Sequence, residues 1–139
     1  MLVVDASVVI KWHLDEVDSE EAQSIRRSAA SFAVPDLLFL ETASTVWKNV
    51  RRGLLSSRRA LEIIESIVDG PFVVYSHQAL ARDAVRIGIA RDITPYDASY
   101  VVLAISIRAD YVTADRKLFN KLQGSPFGKN VSLLADYTN

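Results

Sequence analysis

Four acidic residues, Asp5, Glu41, Asp97 and Asp115, stand where a structural role for a carboxylate is hard to find. Asp5 interrupts an apolar run, Glu41 and Asp97 adjoin long apolar segments, and Asp115 ends a short one. An ionised carboxylate beside a core is costly unless a positive charge compensates it. No lysine or arginine adjoins the first three acids in the sequence. A bound divalent cation, and with it metal-dependent chemistry, is therefore the leading hypothesis.

Two of these acids also have a structural explanation at the start of a helix. Thr94 is a good N-cap, and Asp97 lies three residues after it, where an acidic residue suits the helix dipole. Asp115 could cap a helix that begins at Arg116. For both residues, the capping role and a role in a site can coexist.

The other two acids are harder to explain structurally. Glu41 could lie on a solvated helix face, with Lys48 two turns away. Asp5 has the weakest structural explanation, because it directly follows a buried strand and no glycine or proline makes a turn there. Ser7 could cap the helix that follows.

Other chemistries are poorly supported. His13 and His77 are the only histidines and have no turn-spaced partner, and cysteine is absent, which argues against zinc and thiol sites. No serine lies in a nucleophile-elbow pattern. Residues 124–129 resemble a phosphate loop that is one residue short and lacks a preceding strand, so we interpret them as a surface turn. An aspartyl-phosphate transferase would need a second acid two residues after Asp5, where Ser7 stands.

Composition predicts one globular domain spanning residues 1–139, with 50% hydrophobic and 24% charged residues. The net charge of −1 excludes a global basic field for nucleic acid, so a polyanionic substrate would need a local patch. The basic residues between positions 48 and 59 usually indicate a solvated face, yet they could guide a polyanion if they flank the acids. No signal peptide or membrane span is predicted, and together with the missing cysteines this indicates a cytoplasmic protein.

The pattern of strands alternating with helices predicts an α/β fold with a parallel sheet. Predicted strands are Leu2–Val4, Phe72–Tyr75, Tyr111–Thr113 and Val131–Leu134. Predicted helices are residues 19–31 (with Phe32 ending the apolar stripe), 36–52, 57–68, 78–91, one from Thr94 and one from about Asp115, whereas residues 7–14 are ambiguous. Ligands bind at the carboxyl ends of such strands, which places Asp5 and Asp115 at the functional edge.

These motifs together resemble the PIN-domain ribonucleases, and within them the VapC-type toxins of toxin–antitoxin pairs. The resemblance runs from Leu2 to about Leu134 and is carried by the segments 3–7, 94–100 and 113–118 together with Glu41. It implies a three-layer α/β/α sandwich with a central parallel sheet. It also implies that Asp5, Glu41, Asp97 and Asp115 form the acidic quartet, with Ser7 and Thr113 as supporting polar residues.

The resemblance further implies Mg²⁺ or Mn²⁺ as cofactor, RNA as substrate, a homodimer, and a small antitoxin whose tail lies across the site. Asp5, Asp97 and Asp115 would hold the ion, and Glu41 would orient or deprotonate the attacking water. Asp110 precedes its strand and is expected outside the pocket, which leaves a second metal site open. The amphipathic segments 36–52 and 57–68 are expected to contact the antitoxin or a second copy. A housekeeping RNA-processing nuclease and an inactive PIN-like binding module are the alternatives.

Overall fold

The structure is a computed structural model, and it describes residues 1–137. A five-stranded sheet forms its centre, in the order β3-β2-β1-β4-β5, and every neighbouring pair is parallel. The strands are β1 (Leu2–Val4), β2 (Phe32–Pro35), β3 (Phe72–Tyr75), β4 (Asp110–Thr113) and β5 (Val131–Leu133). The first strand is central and wholly buried, as its unbroken apolar sequence predicts.

Helices connect successive strands and cover both faces of the sheet, because right-handed crossovers in opposite directions place their helices on opposite faces. The helices of residues 1–137 are α1 (Ala6–Val9), α2 (Ser19–Ser28), α3 (Leu37–Arg51), α4 (Ser57–Val68), α5 (His77–Arg91), α6 (Pro95–Ile107) and α7 (Arg116–Leu122), with short 3-10 turns at Ile10–Trp12, Pro126–Gly128 and Leu134–Asp136. The three-layer α/β/α prediction is thereby confirmed. None of the helices in this part of the chain is both long and apolar enough to cross a membrane.

The sixth helix runs through the core. Thr94 caps it by accepting a hydrogen bond from the Asp97 amide, and Pro95 occupies the first turn, where a missing N–H costs nothing. All residues from Ala98 to Ala104 are buried, and the helix contacts β1, β2 and β4. Burial of this central part fixes the position of the helix, and the Thr94 cap fixes its first turn, where Asp97 lies.

The strand β2 was missed by the sequence reasoning, which assigned Phe32 to the preceding helix. The helix α2 ends at Ser28, and residues 32–35 form a fully buried strand next to β1. Phe32 happens to continue the helical spacing, but its ring packs on Trp12 with centroids 4.9 Å apart. This tertiary contact decides the conformation over the local pattern.

The prediction of the buried face of α4 was also partly wrong. The sequence predicted an apolar stripe of Ala60, Leu61, Ile64, Ile67 and Val68. Leu61 and Val68 are 65% and 56% exposed, whereas Ile67 and the unpredicted Ile63 are buried. The ambiguous segment after Asp5 is resolved as α1 followed by a 3-10 turn ending at Trp12.

Candidate active site

The four predicted acids line one pocket of about 300 Å³. Asp5 follows β1, Asp115 follows β4, Asp97 lies in the first turn of α6, and Glu41 lies in the second turn of α3. The remaining lining residues are Ala6, Ser7, Ser44, Thr45, Lys48 and Tyr100. The sheet edge and two helices thus bring together carboxylates that are up to 110 positions apart in the sequence.

Asp5 has the strongest structural role of the four, which corrects the sequence expectation that it had the weakest. It is 7% exposed and caps α1, with Oδ1 accepting from the amides of Ser7 (3.0 Å) and Val8 (3.2 Å). The Ser7 hydroxyl also donates to Oδ1, and the Tyr111 hydroxyl donates to Oδ2 at 2.7 Å. Burial raises the pKa of Asp5, although these hydrogen bonds oppose the rise.

Glu41 is a partly buried carboxyl group whose pKa is strongly raised. Burial raises its pKa to about 7, and the negative charges of Asp5 and Asp97 push the pKa in the same direction. The Tyr100 hydroxyl donates to Oε2 at 2.5 Å and lowers the pKa in part. Since no donor reaches Oε1 from residues 1–137, that oxygen is free to accept a proton or a hydrogen bond.

Asp97 combines its cap role with a position in the site. Thr94 Oγ1 accepts from the Asp97 amide at 3.1 Å and donates to Asp97 Oδ2 at 2.9 Å. Burial raises the pKa of Asp97, and the charges of Asp115 and Asp5 raise it further, whereas Lys121 lowers it. The Oδ1 atom has no donor within the described residues, so Asp97 presents one free oxygen.

Asp115 is the N-cap of α7, as its sequence position suggested. Its Oδ1 accepts from the amides of Lys117 (2.9 Å) and Leu118 (3.0 Å). Its Oδ2 has no donor among residues 1–137. The side chain is exposed at the mouth of the pocket. Asp115 can therefore keep its cap and still offer one oxygen to a ligand.

Ser7 and Thr113, the predicted supporting residues, connect the first acid to the fourth. Ser7 Oγ donates to Asp5 and accepts from the Ala114 amide at 2.9 Å. Thr113 accepts from the Asp115 amide at 3.0 Å, and its side chain also hydrogen-bonds to Asp5. Asp110 is exposed at the amino end of β4 and lies outside the pocket, as expected.

Two tyrosines at this site were missed, whereas Lys48 belongs to the basic residues that were expected to guide a polyanion if they flanked the acids. Tyr100 and Tyr111 stack with ring centroids 6.0 Å apart and donate to Glu41 and Asp5 respectively. Both occur in apolar segments, and a buried tyrosine needs a partner for its hydroxyl, which was the available signal. Lys48 lines the pocket, so a cation lies near the acids in space although none adjoins the first three of them in the sequence.

The donor set suits a divalent hard cation. All the acidic groups offer oxygen, the ligand that Mg²⁺ and Mn²⁺ prefer, and neither of the two histidines lines the pocket. Within residues 1–137, no three His, Asp or Glu side chains are drawn together tightly enough to enclose an ion by themselves. Mg²⁺ commonly takes only one or two carboxylates and keeps several waters, so the free oxygens of Asp97 and Asp115 are compatible with it.

Comparison with known proteins identifies relatives that cover most of the chain. The family model for the PIN domain matches residues 2–124. Ribonuclease VapC3 of Pyrobaculum aerophilum is 34% identical over 122 residues, which represent 86% of this chain and 93% of the relative. Exonuclease VapC9 of the same organism is 30% identical over 93 residues, or 67% of this chain and 68% of that protein.

Solved structures share the fold. The crystal structure of PAE2754 from P. aerophilum superposes with a TM-score of 0.70 at 25% identity, covering 96% of this chain and 83% of the other. VapC20 from Mycobacterium tuberculosis, described as a toxin that cleaves the sarcin-ricin loop, gives a TM-score of 0.67 at 14% identity, covering 85% and 92%. At that identity the second likeness establishes the architecture alone.

Proposed function

The chain belongs to the PIN-domain family, and from that premise we propose that it is a Mg²⁺- or Mn²⁺-dependent endoribonuclease, the toxin of a VapBC-type toxin–antitoxin pair. We also propose that residues 1–139 form one nuclease domain. The observation that carries the proposal is the pocket in which four carboxyl groups are close enough for the charges of Asp5 and Asp97 to raise the pKa of Glu41. Repulsion between these carboxylates does not stabilise the folded protein, and a bound cation would relieve it.

Each acid has a role that its contacts support. Asp97 and Asp115 would hold the ion, since the cap of each leaves one carboxylate oxygen free. Asp5 would be the third ligand, and its donors Ser7 and Tyr111 fix its orientation. When bound, the ion lowers the pKa of a water and neutralises charge on the reacting phosphate.

Glu41 accepts the proton of the attacking water. A group whose pKa is near the working pH is an efficient proton acceptor, and the pKa of Glu41 without a cation is about 7. Tyr100 holds Oε2 and leaves Oε1 for the water. The water oxygen bonds to phosphorus, and the bond from phosphorus to the leaving ribose oxygen breaks. That oxygen then takes a proton from solvent.

The antitoxin is proposed to cover the hairpin formed by α3 and α4. Apolar residues of this hairpin are exposed by more than half of their surface, namely Trp47, Leu54, Leu61 and Val68. Contiguous exposed apolar side chains commonly mark a protein-binding face. A toxin–antitoxin complex from Klebsiella pneumoniae has the same fold, with a TM-score of 0.63 at 16% identity. A homodimer is proposed as well, and light scattering after gel filtration measures it directly.

The test is cleavage of RNA by the purified protein with Mn²⁺, with Mg²⁺ and with EDTA. A covalently closed circular RNA separates the two activities named among the relatives, because only an endonuclease can open it. We expect circular RNA to be cut with either metal and to survive EDTA. Cleavage that persists in EDTA would refute the metal mechanism, and loss of linear RNA alone would indicate an exonuclease.

The biological role has a separate test. Induced expression should arrest bacterial growth, and co-expression of a short protein encoded immediately upstream should relieve the arrest. Normal growth on expression of a catalytically active protein would favour a housekeeping RNA-processing nuclease.

A further inference from the structure

One wall of the pocket is a single face of α3 that changes from acidic to basic along the helix. Glu41, Thr45 and Lys48 lie on this face, and all three line the pocket. At 100° per residue, Lys48 and Arg52 project within about 20° of the direction of Glu41. The rise from Glu41 to Lys48 is about 10 Å, and helix side chains lean toward the N-terminus, so the ammonium group leans back toward the acids.

The positive charge of Lys48 has no acidic partner among the described residues. Its side chain is exposed, and no carboxylate among residues 1–137 forms an ion pair or a hydrogen bond with it. It is absent from the charges that shift the pKa of Glu41, which are those of Asp5 and Asp97, and the cation that lowers the pKa of Asp97 is Lys121. Lys48 is therefore not a counter-ion of the pocket.

Arg52 continues the same face one turn later and is likewise exposed without an ion pair in the described part of the chain. Arg51, its neighbour, differs because its guanidinium lies 5.8 Å from the Trp47 ring centroid on another face of the helix. Two unpaired cations therefore lead away from the acidic pocket in one line. A cation at the end of a helix is favourable by itself, yet Lys48 and Arg52 both also align with the pocket.

An RNA strand needs such a row of cations, because four acids repel its phosphates and the net charge of the protein is −1. We infer that Lys48 binds the backbone phosphate next to the scissile one, and that Arg52 binds a further phosphate along α3. The inference rests on the proposed ribonuclease function and adds the path of the strand to it. Both residues are positioning residues, since they bind the strand away from the reacting bond.

The experiment compares Lys48→Gln, Lys48→Arg and Arg52→Gln with the control Lys129→Gln. Lys129 is an exposed lysine that precedes β5 at the opposite edge of the sheet. With a short single-stranded RNA and saturating Mn²⁺, we expect Lys48→Gln to raise KM about fivefold to tenfold while kcat stays within about twofold. Lys48→Arg should restore KM, and Lys129→Gln should behave as the unmodified protein. Far-UV circular dichroism and Tm verify folding.

Salt dependence gives an independent readout that a structural effect would not move. Loss of one phosphate contact to a single strand should reduce the slope of log(kcat/KM) against log[salt] by about 0.7 in Lys48→Gln and in Arg52→Gln. An unchanged slope in Lys48→Gln, or a KM equal to that of Lys129→Gln, would overturn the inference.

Binding separates this inference from the proposed function. Fluorescence anisotropy of a labelled RNA with Asp97→Asn and with Asp97→Asn/Lys48→Gln requires no cleavage. Weaker binding by the double variant supports the phosphate contact even if the unmodified protein proves unable to cleave RNA. Equal binding by the two variants overturns the contact even if cleavage is robust.

Discussion

The Tyr100 hydroxyl donates a 2.5 Å hydrogen bond to Glu41 Oε2, although 59 positions separate the two residues in the sequence. The bond joins the core helix α6 to α3, and it favours the ionised form of a carboxyl group that burial and neighbouring charges push toward protonation. The proton affinity of Glu41 is therefore set jointly by three parts of the chain.

Tyr100→Phe should raise the pKa of Glu41 above its value of about 7 in the metal-free protein, because it removes the donor that stabilises the carboxylate. Carbon-13 NMR of the glutamate carboxyl groups measures this directly. We expect kcat at neutral pH to fall about threefold to tenfold, since one charge-assisted hydrogen bond to the carboxylate is lost. Tyr96→Phe is the control, because that ring is 64% exposed and its hydroxyl forms no hydrogen bond to a carboxylate among residues 1–137. Equal pKa values in the two variants would contradict the role of Tyr100.

Metal-free protein should lose thermal stability as the pH rises from about 4.5 to about 7. The folded-state pKa of Glu41 is about 7 and its ordinary value is 4.5. The stabilising contribution of protonated Glu41 is thus complete below its pKa in the unfolded chain. It disappears as the pH passes its pKa in the folded protein. The raised pKa of Asp97 acts with the same sign. Tm measured in EDTA across this range tests the expectation.

Two additions to that titration identify its cause. Mn²⁺ should abolish the fall in Tm, and Glu41→Gln should flatten it. A Tm that rises with pH in EDTA would be inconsistent with repulsion in the pocket.

Asp97→Asn should reduce RNA cleavage by at least about a hundredfold, because it removes a charged ligand while the Thr94 cap still holds the first turn. Initial rates at saturating Mn²⁺, with circular dichroism to verify folding, provide the measurement. Glu41→Gln should be nearly as damaging. Asp110→Asn is the matched control, since Asp110 is exposed at the other end of β4. A wild-type rate for Glu41→Gln would remove that residue from the catalytic set.

Asp5→Ala should destabilise the fold by about 2–4 kcal/mol, because it leaves the buried amide and hydroxyl donors around it without an acceptor. Asp115→Ala should cost only about 1 kcal/mol, since it removes an exposed helix cap. Urea unfolding in EDTA compares the two variants. Equal losses would show that the buried network around Asp5 contributes little to stability.

Sequence patterns predicted the helices with clear caps well. Thr94 with Pro95 marks the start of α6, and Gly53 follows the end of α3 with a φ of 72°, the left-handed conformation in which glycine commonly ends a helix. The core face of α4 could not be read from its sequence, since Leu61 and Val68 are as apolar as the buried Ile63 and Ile67. An exposed apolar side chain on a helix surface looks the same in sequence as a core side chain.

The site was predicted as a set of acids, but its supporting contacts were not. Asp36 stands at the N-cap position of α3, yet its side chain makes no cap bond and instead accepts from the His77 amide at 2.9 Å. The bonds from Tyr111 to Asp5 and from Ala114 to Ser7 join positions 106 and 107 residues apart. Spacing rules act over one or two helical turns, so contacts of this range depend on the strand order.

The strand order has a consequence for synthesis on the ribosome. The central strand β1 is made first, but its neighbour β4 and the segment that carries Asp115 are made about a hundred residues later. The Ser7 hydroxyl cannot meet the Ala114 amide, and the fourth carboxylate cannot join the others, until the chain has reached that point. The acidic pocket is thus incomplete in a nascent chain until the segment that carries Asp115 has been made.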